Sequence, residues 1–167
     1  MSPTSAASKA RVTADQIAAW RAFLDAHART IDVLTRELRD AKGLPLTWYD
    51  VLVQLSEAPD GQLRMQDLSD AIVLSKSGLT RLIDRMEREG LVCRFACAQD
   101  KRGMFAQITK DGLQTLSAAA PTHLTGVSEH FLSLFTNDEL STLRELLGRV
   151  ADANWPHAAG DQFTEAN

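Results

Sequence analysis

The spacing of apolar residues predicts a mainly helical chain. From Ile17 to Leu38 they recur every three or four positions, the repeat of one helix face sustained for about three heptads. Thr13 and Gln16 have the spacing of a capping box that would open this helix, and Gly43 would end it. A helix of about 26 residues is about 39 Å long. That length favours packing against a second subunit.

The next stretch predicts short elements in quick succession. Thr47 and Asp50 have the spacing of a helix start. The residues that follow are rich in turn formers and short apolar runs. The predicted elements are a helix to about residue 58, a turn at 59–61, a strand at 62–64 and a short helix at 65–71.

After a short turn comes an amphipathic helix, followed by a hairpin. Ser75 would cap this helix, and Gly90 would end it in a left-handed conformation. Its apolar residues fall within about 60° of one another on a helical wheel; they are Leu79, Leu82, Ile83 and Met86. Strands at 91–96 and 104–108 flank a charged loop. Helix, turn, helix and hairpin in this order predict a winged helix-turn-helix.

Two more helices are expected after the hairpin. Thr109 would cap the first, which should run toward Leu134 with a kink at Pro121. Thr136 and Glu139 form a capping box for the last. The predicted organisation is a disordered segment at 1–12, a helical dimerisation region at 13–42 and 110–156, a winged helix-turn-helix lobe at 44–109 and a frayed tail at 157–167.

Composition narrows the class of protein. The chain has 167 residues, 44% of them hydrophobic, which suits one globular domain. Its apolar runs are far shorter than the roughly 20 residues that span a bilayer, and no secretory signal is visible. We therefore expect a cytoplasmic protein with no membrane contact. Without a phosphate loop or a nucleophile elbow, we expect neither an enzyme nor a cofactor. His123 and His130 lack the partners of a metal site.

Charge is distributed unevenly along the chain. The net charge is −4, but residues 76–110 contain eight basic and four acidic side chains, an excess of +4. The rest of the chain therefore carries −8. A basic patch on an acidic body orients double-stranded DNA toward one face.

The polar face of the amphipathic helix supplies candidate DNA contacts. Hydroxyl groups near its N-terminus can meet phosphate at the positive end of the helix dipole. Arg81 can make two hydrogen bonds to guanine, and Thr80 can meet a thymine methyl group or a phosphate. We expect the other basic side chains of this helix to contact phosphates. The predicted contacts on this helix are Ser75, Lys76, Ser77, Thr80, Arg81, Arg85 and Arg88.

The hairpin supplies the remaining candidates. Lys101 and Arg102 lie in a narrow loop that could enter a minor groove. Asp100 would be repelled by phosphate, so we expect it to hold Arg94 or Arg102 through a charge-assisted hydrogen bond. Arg94, Asp100, Lys101 and Arg102 complete the predicted DNA site.

These residues resemble the MarR (multiple antibiotic resistance regulator) family of bacterial winged-helix transcription factors. The resemblance extends from about Trp20 to Val150 and is carried by LTWYDVLVQLSEAPDGQLRMQDLS, LSKSGLTRLIDRMEREGLVCR, DKRG and ITKDG. It implies an obligate homodimer of interlaced terminal helices that binds a pseudo-palindromic operator. It also implies that Ser75, Ser77, Thr80, Arg81 and Arg85 face DNA, and that Asp100 and Arg102 form the D-x-R signature of the wing.

The resemblance further implies a small aromatic or phenolic effector that binds between the dimerisation helices and the lobe and weakens DNA binding. Aromatic side chains on the helices that would line this cleft are candidates, with core packing as the alternative for each. They are Trp20, Phe23, Trp48 and Tyr49, with His27 in the apolar seam as a further candidate.

Two cysteines leave a second mode of control open. Cys93 and Cys97 would share one strand face, and a thiolate beside Arg94 could be redox-active. The alternative is that both are small, half-buried residues. Family members that sense peroxide use a cysteine in the first helix, which this chain lacks.

The sequence thus predicts a homodimeric DNA-binding repressor that a small ligand releases from its operator. Two recognition helices must lie about 34 Å apart to enter successive major grooves, so a ligand that favours another spacing would weaken binding. Two alternatives remain: a thiol-based oxidation sensor on the same scaffold, and a winged-helix protein-interaction module without an operator.

Overall fold

The chain is mainly helical, with a small three-stranded sheet built from one strand before the third helix and two strands after the fourth. A computed structural model describes residues 11–72, 74–96 and 103–154. The helices are α1 (Ala14–Lys42), α2 (Leu46–Glu57), α3 (Met65–Ala71), α4 (Lys76–Arg88), α5 (Lys110–His130) and α6 (Asn137–Asn154). The strands are β1 (Gln62–Arg64), β2 (Val92–Ala96) and β3 (Met104–Ile108).

The ends of α1 follow its sequence signals. The Gln16 N–H donates to Thr13 Oγ1 at 3.2 Å, and the Thr13 N–H donates to Gln16 Oε1 at 2.9 Å, which completes the predicted capping box. At the other end, Gly43 has φ 65° and its N–H donates to the Arg39 carbonyl. The predicted boundaries of this 29-residue helix are therefore confirmed.

Two other helix boundaries differ from the prediction. The α2 helix begins at Leu46 with Pro45 as its cap, so the predicted start at Thr47 was wrong. A proline suits a helix start, because its fixed φ is already helical and its missing N–H would have no helical partner there. The α5 helix continues through Pro121 but ends at His130, short of Leu134, and a separate 3-10 turn follows.

The sheet joins three antiparallel strands in the order β1-β3-β2. Its inner face and the apolar face of α4 enclose the core. Leu79, Leu82, Ile83 and Met86 are all buried there, as the helical wheel predicted. With one face buried in this way, the polar side chains of α4 are left on the opposite face.

The turn between α3 and α4 is tied by a buried hydroxyl group. Ser69 Oγ donates to the Leu74 carbonyl at 2.6 Å, and the Leu74 N–H donates to the Ser69 carbonyl at 3.1 Å. Ser75 then caps α4, accepting the Gly78 N–H at 3.2 Å. Gly90 has φ 75°, which confirms the predicted left-handed end of this segment.

The chain divides into two units, residues 1–123 and 124–167. The second unit contains α6, which opens with the predicted capping box: the Thr136 N–H donates to Glu139 Oε2 at 2.8 Å, and the Glu139 N–H donates to Thr136 Oγ1 at 3.3 Å. No residue of α6 is buried in the single chain. Within the described ranges, no helix has the length and apolar character needed to cross a membrane.

Candidate nucleic-acid interface

The polar face of α4 and its cap forms one exposed surface, here called the outer face. It consists of Ser75, Lys76, Ser77, Thr80, Arg81, Arg85 and Arg88, all of which are exposed. The first turn of α4 carries no acidic residue. The structure therefore brings together all the helix residues predicted to contact DNA.

Local hydrogen bonds orient several side chains of the outer face. Ser75 Oγ lies 3.4 Å from Ser77 Oγ, and Thr80 Oγ1 donates to the Lys76 carbonyl at 2.9 Å. Because that bond occupies the hydroxyl proton of Thr80, its oxygen is left as an acceptor. Arg85 Nε donates to the Arg81 carbonyl at 3.3 Å, which directs this guanidinium along the helix.

Arg94 is placed differently from the expectation. Its guanidinium is held by two carboxylates of α4: Nη1 lies 2.6 Å from Asp84 Oδ1 and Nη2 lies 2.7 Å from Glu87 Oε2. Sequence reasoning had offered Asp100 as its partner, and Asp100 lies outside the described residues. The three side chains, called the Arg94 clamp below, bind the first strand of the hairpin to α4.

Glu87 also binds the backbone of β2. Its Oε1 accepts the Arg94 N–H at 2.9 Å, and its Oε2 accepts Arg94 Nε at 3.0 Å. These hydrogen bonds hold the pKa of Glu87 below its ordinary value. The bond from the Arg94 backbone N–H has the largest effect, and the bonds from the guanidinium come next. The same pairing raises the pKa of Arg94.

A pH dependence of stability follows from the clamp. A carboxylate with a lowered pKa stabilises the fold above its unfolded pKa, and this contribution is lost as the pH falls through the folded pKa. We expect Glu87→Gln to lower the free energy of unfolding at pH 7 by about 1 kcal/mol. The value is small because 34% of the Glu87 side chain and 27% of the Arg94 side chain remain exposed.

Urea unfolding of both proteins between pH 7 and about pH 3 checks this, since ordinary Glu pKa values are near 4.3. The difference in the free energy of unfolding between wild type and Glu87→Gln should become smaller as Glu87 becomes protonated. A difference that stays constant over this range would show that the Glu87 charge does not stabilise the fold.

The hairpin strands are confirmed, but its loop is not described. Asp100, Lys101, Arg102 and Cys97 lie outside the described residues, so their predicted roles stay predictions. Cys93 lies on β2, and its thiol is exposed rather than half-buried. The neighbouring Arg94 charge is already held by Asp84 and Glu87.

A cavity of about 310 Å³ lies beside the outer face. Residues from α3, α4 and the two hairpin strands line it: Met65, Gln66, Lys76, Leu79, Thr80, Arg94 and Met104. Sequence reasoning missed this cavity, because its walls come from four elements and none of them carries a local signal. Lys76 and Thr80 belong both to the cavity and to the outer face.

Comparison with known proteins identifies the family. The pattern described as MarR family matches residues 42–103. The HTH-type transcriptional regulator MhqR of Bacillus subtilis is 33% identical over 108 residues, which are 65% of this chain and 72% of MhqR. The chain belongs to the MarR family. It is therefore a MarR-family transcriptional regulator, like these relatives.

Solved structures of MarR-family proteins support the same fold. AbsC of Streptomyces coelicolor is 36% identical with a TM-score of 0.79, over 90% of this chain and 99% of AbsC. Sco3205 of the same organism, solved in complex with DNA, is 33% identical with a TM-score of 0.82, over 91% of this chain and 96% of Sco3205. The predicted winged helix-turn-helix fold is confirmed.

In this MarR-family chain, the aromatic residues predicted to line an effector cleft fall into separate groups. On α1, the Trp20 and Phe23 ring centroids are 5.8 Å apart, and those of Phe23 and His27 are 6.3 Å apart. On α2, Trp48 packs against the lobe core, and the Tyr49 ring lies 4.4 Å from that of a histidine on α5.

That histidine, His123, was considered from the sequence only as a metal ligand. In the described part of the chain, no three His, Cys, Asp or Glu side chains gather as metal ligands. Burial lowers the pKa of His123, and its Nδ1 is buried with no hydrogen-bond partner among the described residues. Burial, and then the charges of Asp50 and Glu57, raise the pKa of Tyr49. The contact joins distant parts of the sequence, so no local pattern could have predicted it.

Proposed function

We propose that this protein is a homodimeric repressor that binds a specific double-stranded DNA sequence and is released by a small ligand. One observation carries the DNA-binding part: hydroxyl and guanidinium groups converge on the outer face while the opposite side of α4 is buried. A helix with those groups and a fixed orientation suits a major groove. The likeness to Sco3205, solved with DNA, supports this assignment.

The outer face offers two kinds of contact. Arg81, fully outward on the middle of α4, is proposed to read a base edge. The hydroxyls of Ser75 and Ser77, at the positive end of the helix dipole, suit phosphate oxygens. Arg85 and Arg88 suit phosphates further along the duplex, whereas Arg94 serves the clamp instead of DNA.

A second copy of this chain is the proposed partner of α1. The apolar seam of this helix is exposed in the single chain: Ile17 is 37%, Trp20 55%, Leu24 44% and Ile31 41% exposed. Only toward its C-terminal end, at Leu34 and Leu38, is the seam buried. In the second unit, the exposed Leu146 and Val150 of α6 offer a further apolar surface. A contiguous exposed stripe of this kind marks a protein interface.

The cavity beside the outer face is the proposed effector site. Its volume suits a small aromatic molecule, and Lys76 on its wall favours an anionic one. Because Lys76 and Thr80 also belong to the outer face, an occupant would compete with DNA. If small aromatic carboxylates or phenols displace bound DNA from the purified protein, release by a ligand is supported. Oxidant-induced release that Cys93→Ser abolishes would support a thiol sensor instead.

Selection from a random duplex library with the purified protein tests the proposed function. We expect recovered duplexes to share an inverted repeat whose half-sites lie about one helical turn apart. The logarithm of the binding constant should fall steeply and linearly with the logarithm of salt concentration. Recovery of no shared sequence would contradict DNA-sequence recognition and favour a protein-interaction module.

A further inference from the structure

The Arg94 clamp closes an otherwise open edge of the sheet. Among the residues that the structure describes, the strand order β1-β3-β2 makes β2 an edge strand, with no further strand beside its outward N–H groups. Glu87 supplies an acceptor for the Arg94 N–H on that edge. The carboxylate therefore pairs one outward N–H of β2, and it does so from the recognition helix.

The clamp also determines where the whole hairpin lies. β2 pairs with β3 at five positions, from Val92 with Ile108 to Ala96 with Met104. Backbone hydrogen bonds and facing side chains couple the two strands along this register. Because Glu87 and Asp84 hold Arg94 by its backbone and its guanidinium, they fix the position of both strands relative to α4.

The clamp lies directly beside the surface proposed to meet DNA. Arg94 lines the same cavity as Lys76 and Thr80, which belong to the outer face. The carboxylates themselves are more enclosed: Asp84 and Glu87 are both half-buried, whereas Arg81, Arg85 and Arg88 are exposed. Both carboxylates pair with Arg94, which offsets part of their negative charge.

We propose that Glu87 is a positioning residue for DNA binding: by holding Arg94 it fixes the β2–β3 hairpin relative to α4. The helix and the hairpin then approach the duplex as one preorganised body, which lowers the entropy cost of binding. This inference rests on the proposed DNA-binding function. Glu87 would thus strengthen DNA binding without touching the DNA itself.

The test compares Glu87→Gln with Glu89→Gln in the full chain. Both variants remove one negative charge from the end of α4, but Glu89 is exposed and lies outside the clamp. By charge alone, either change should tighten binding to a polyanion slightly. We expect Glu87→Gln instead to weaken binding about tenfold to a duplex recovered by the wild-type protein, and Glu89→Gln to bind at least as well as wild type.

Hydrogen exchange gives a readout of the clamp that needs no DNA. In Glu87→Gln, amide exchange should quicken in the peptide covering residues 91–96, while exchange in α5 stays as in wild type. Affinities are compared on protein shown to be folded by circular dichroism, so that lost stability is not counted as lost affinity. If Glu87→Gln does not fold, Asp84→Asn is tested instead. This change removes the ion pair between Asp84 and Arg94 and should weaken DNA binding a few-fold.

The outcomes separate the two proposals. Weaker DNA binding of Glu87→Gln with faster exchange over 91–96 supports the positioning role. Binding equal to that of Glu89→Gln overturns it, and so does exchange equal to wild type over that peptide. If the wild-type protein selects no duplex, the proposed function fails, whereas the exchange experiment still reports whether Glu87 holds the hairpin.

Discussion

Gly112→Ala is expected to lower the free energy of unfolding by about 3 kcal/mol. Gly112 lies in the first turn of α5, where the helix closely approaches Leu91, the residue before β2. A Cβ there would overlap the Leu91 carbonyl oxygen and lie 2.9 Å from Ile108 Cγ1 and 3.2 Å from Leu52 Cδ2. The Leu91 carbonyl cannot move freely, because it accepts the Thr109 N–H at 3.1 Å.

Asp111→Ala is the matched control for that change. Asp111 is the neighbouring residue on the same helix turn, but its side chain is exposed. We expect Asp111→Ala to change the free energy of unfolding by no more than about 0.5 kcal/mol. Urea unfolding at one fixed protein concentration measures both variants, and equal stabilities of the two would show that α5 does not approach Leu91 this closely.

Leu24→Asp is expected to convert the protein to a monomer and to weaken DNA binding about 100-fold or more. Leu24 lies in the exposed apolar seam of α1, and the proposed dimer would bury it. A buried, unpaired carboxylate opposes that interface strongly. Separate lobes then lose the gain from binding two half-sites at once, which is commonly 100-fold or more.

Ala22→Asp provides the comparison for the dimer. It adds the same carboxylate to the same helix, but Ala22 lies on the side opposite the seam. Analytical ultracentrifugation should find Ala22→Asp dimeric and Leu24→Asp monomeric. If Leu24→Asp stays dimeric and binds DNA like wild type, the seam of α1 is not the dimer interface.

Local signals in the sequence predicted most of the fold. The capping residues Thr13, Ser75 and Thr136 each form the hydrogen bond that their spacing predicted. The apolar face of α4 followed from helical periodicity alone. Both signals lie in the spacing of residues a few positions apart, which a sequence reports directly. The start of α2 was missed because Thr47 and Asp50 have the spacing of a helix start. In the structure, Pro45 is the N-cap and the helix begins at Leu46.

The candidate site was predicted only where it lies on one helix. The outer face of α4 follows from a single periodicity, but the partners of Arg94 depend on how β2 turns back against α4. The sequence offered only Asp100 as a carboxylate partner for Arg94, whereas the tertiary geometry brings Asp84 and Glu87 to its guanidinium. For the same reason, the contact between Tyr49 and His123 was not foreseen.

Arg81→Ala tests the central claim, that the outer face of α4 reads DNA sequence. Its affinity is measured for a duplex recovered by the wild-type protein and for versions with each base pair changed in turn. We predict that Arg81→Ala no longer discriminates between bases at one position of each half-site, a loss of about 1–3 kcal/mol in binding free energy difference. Discrimination at the other positions should be unchanged. Arg85→Ala should weaken binding to all duplexes alike and lower the salt slope by about 1. Unchanged preference at every position in Arg81→Ala would contradict the claim.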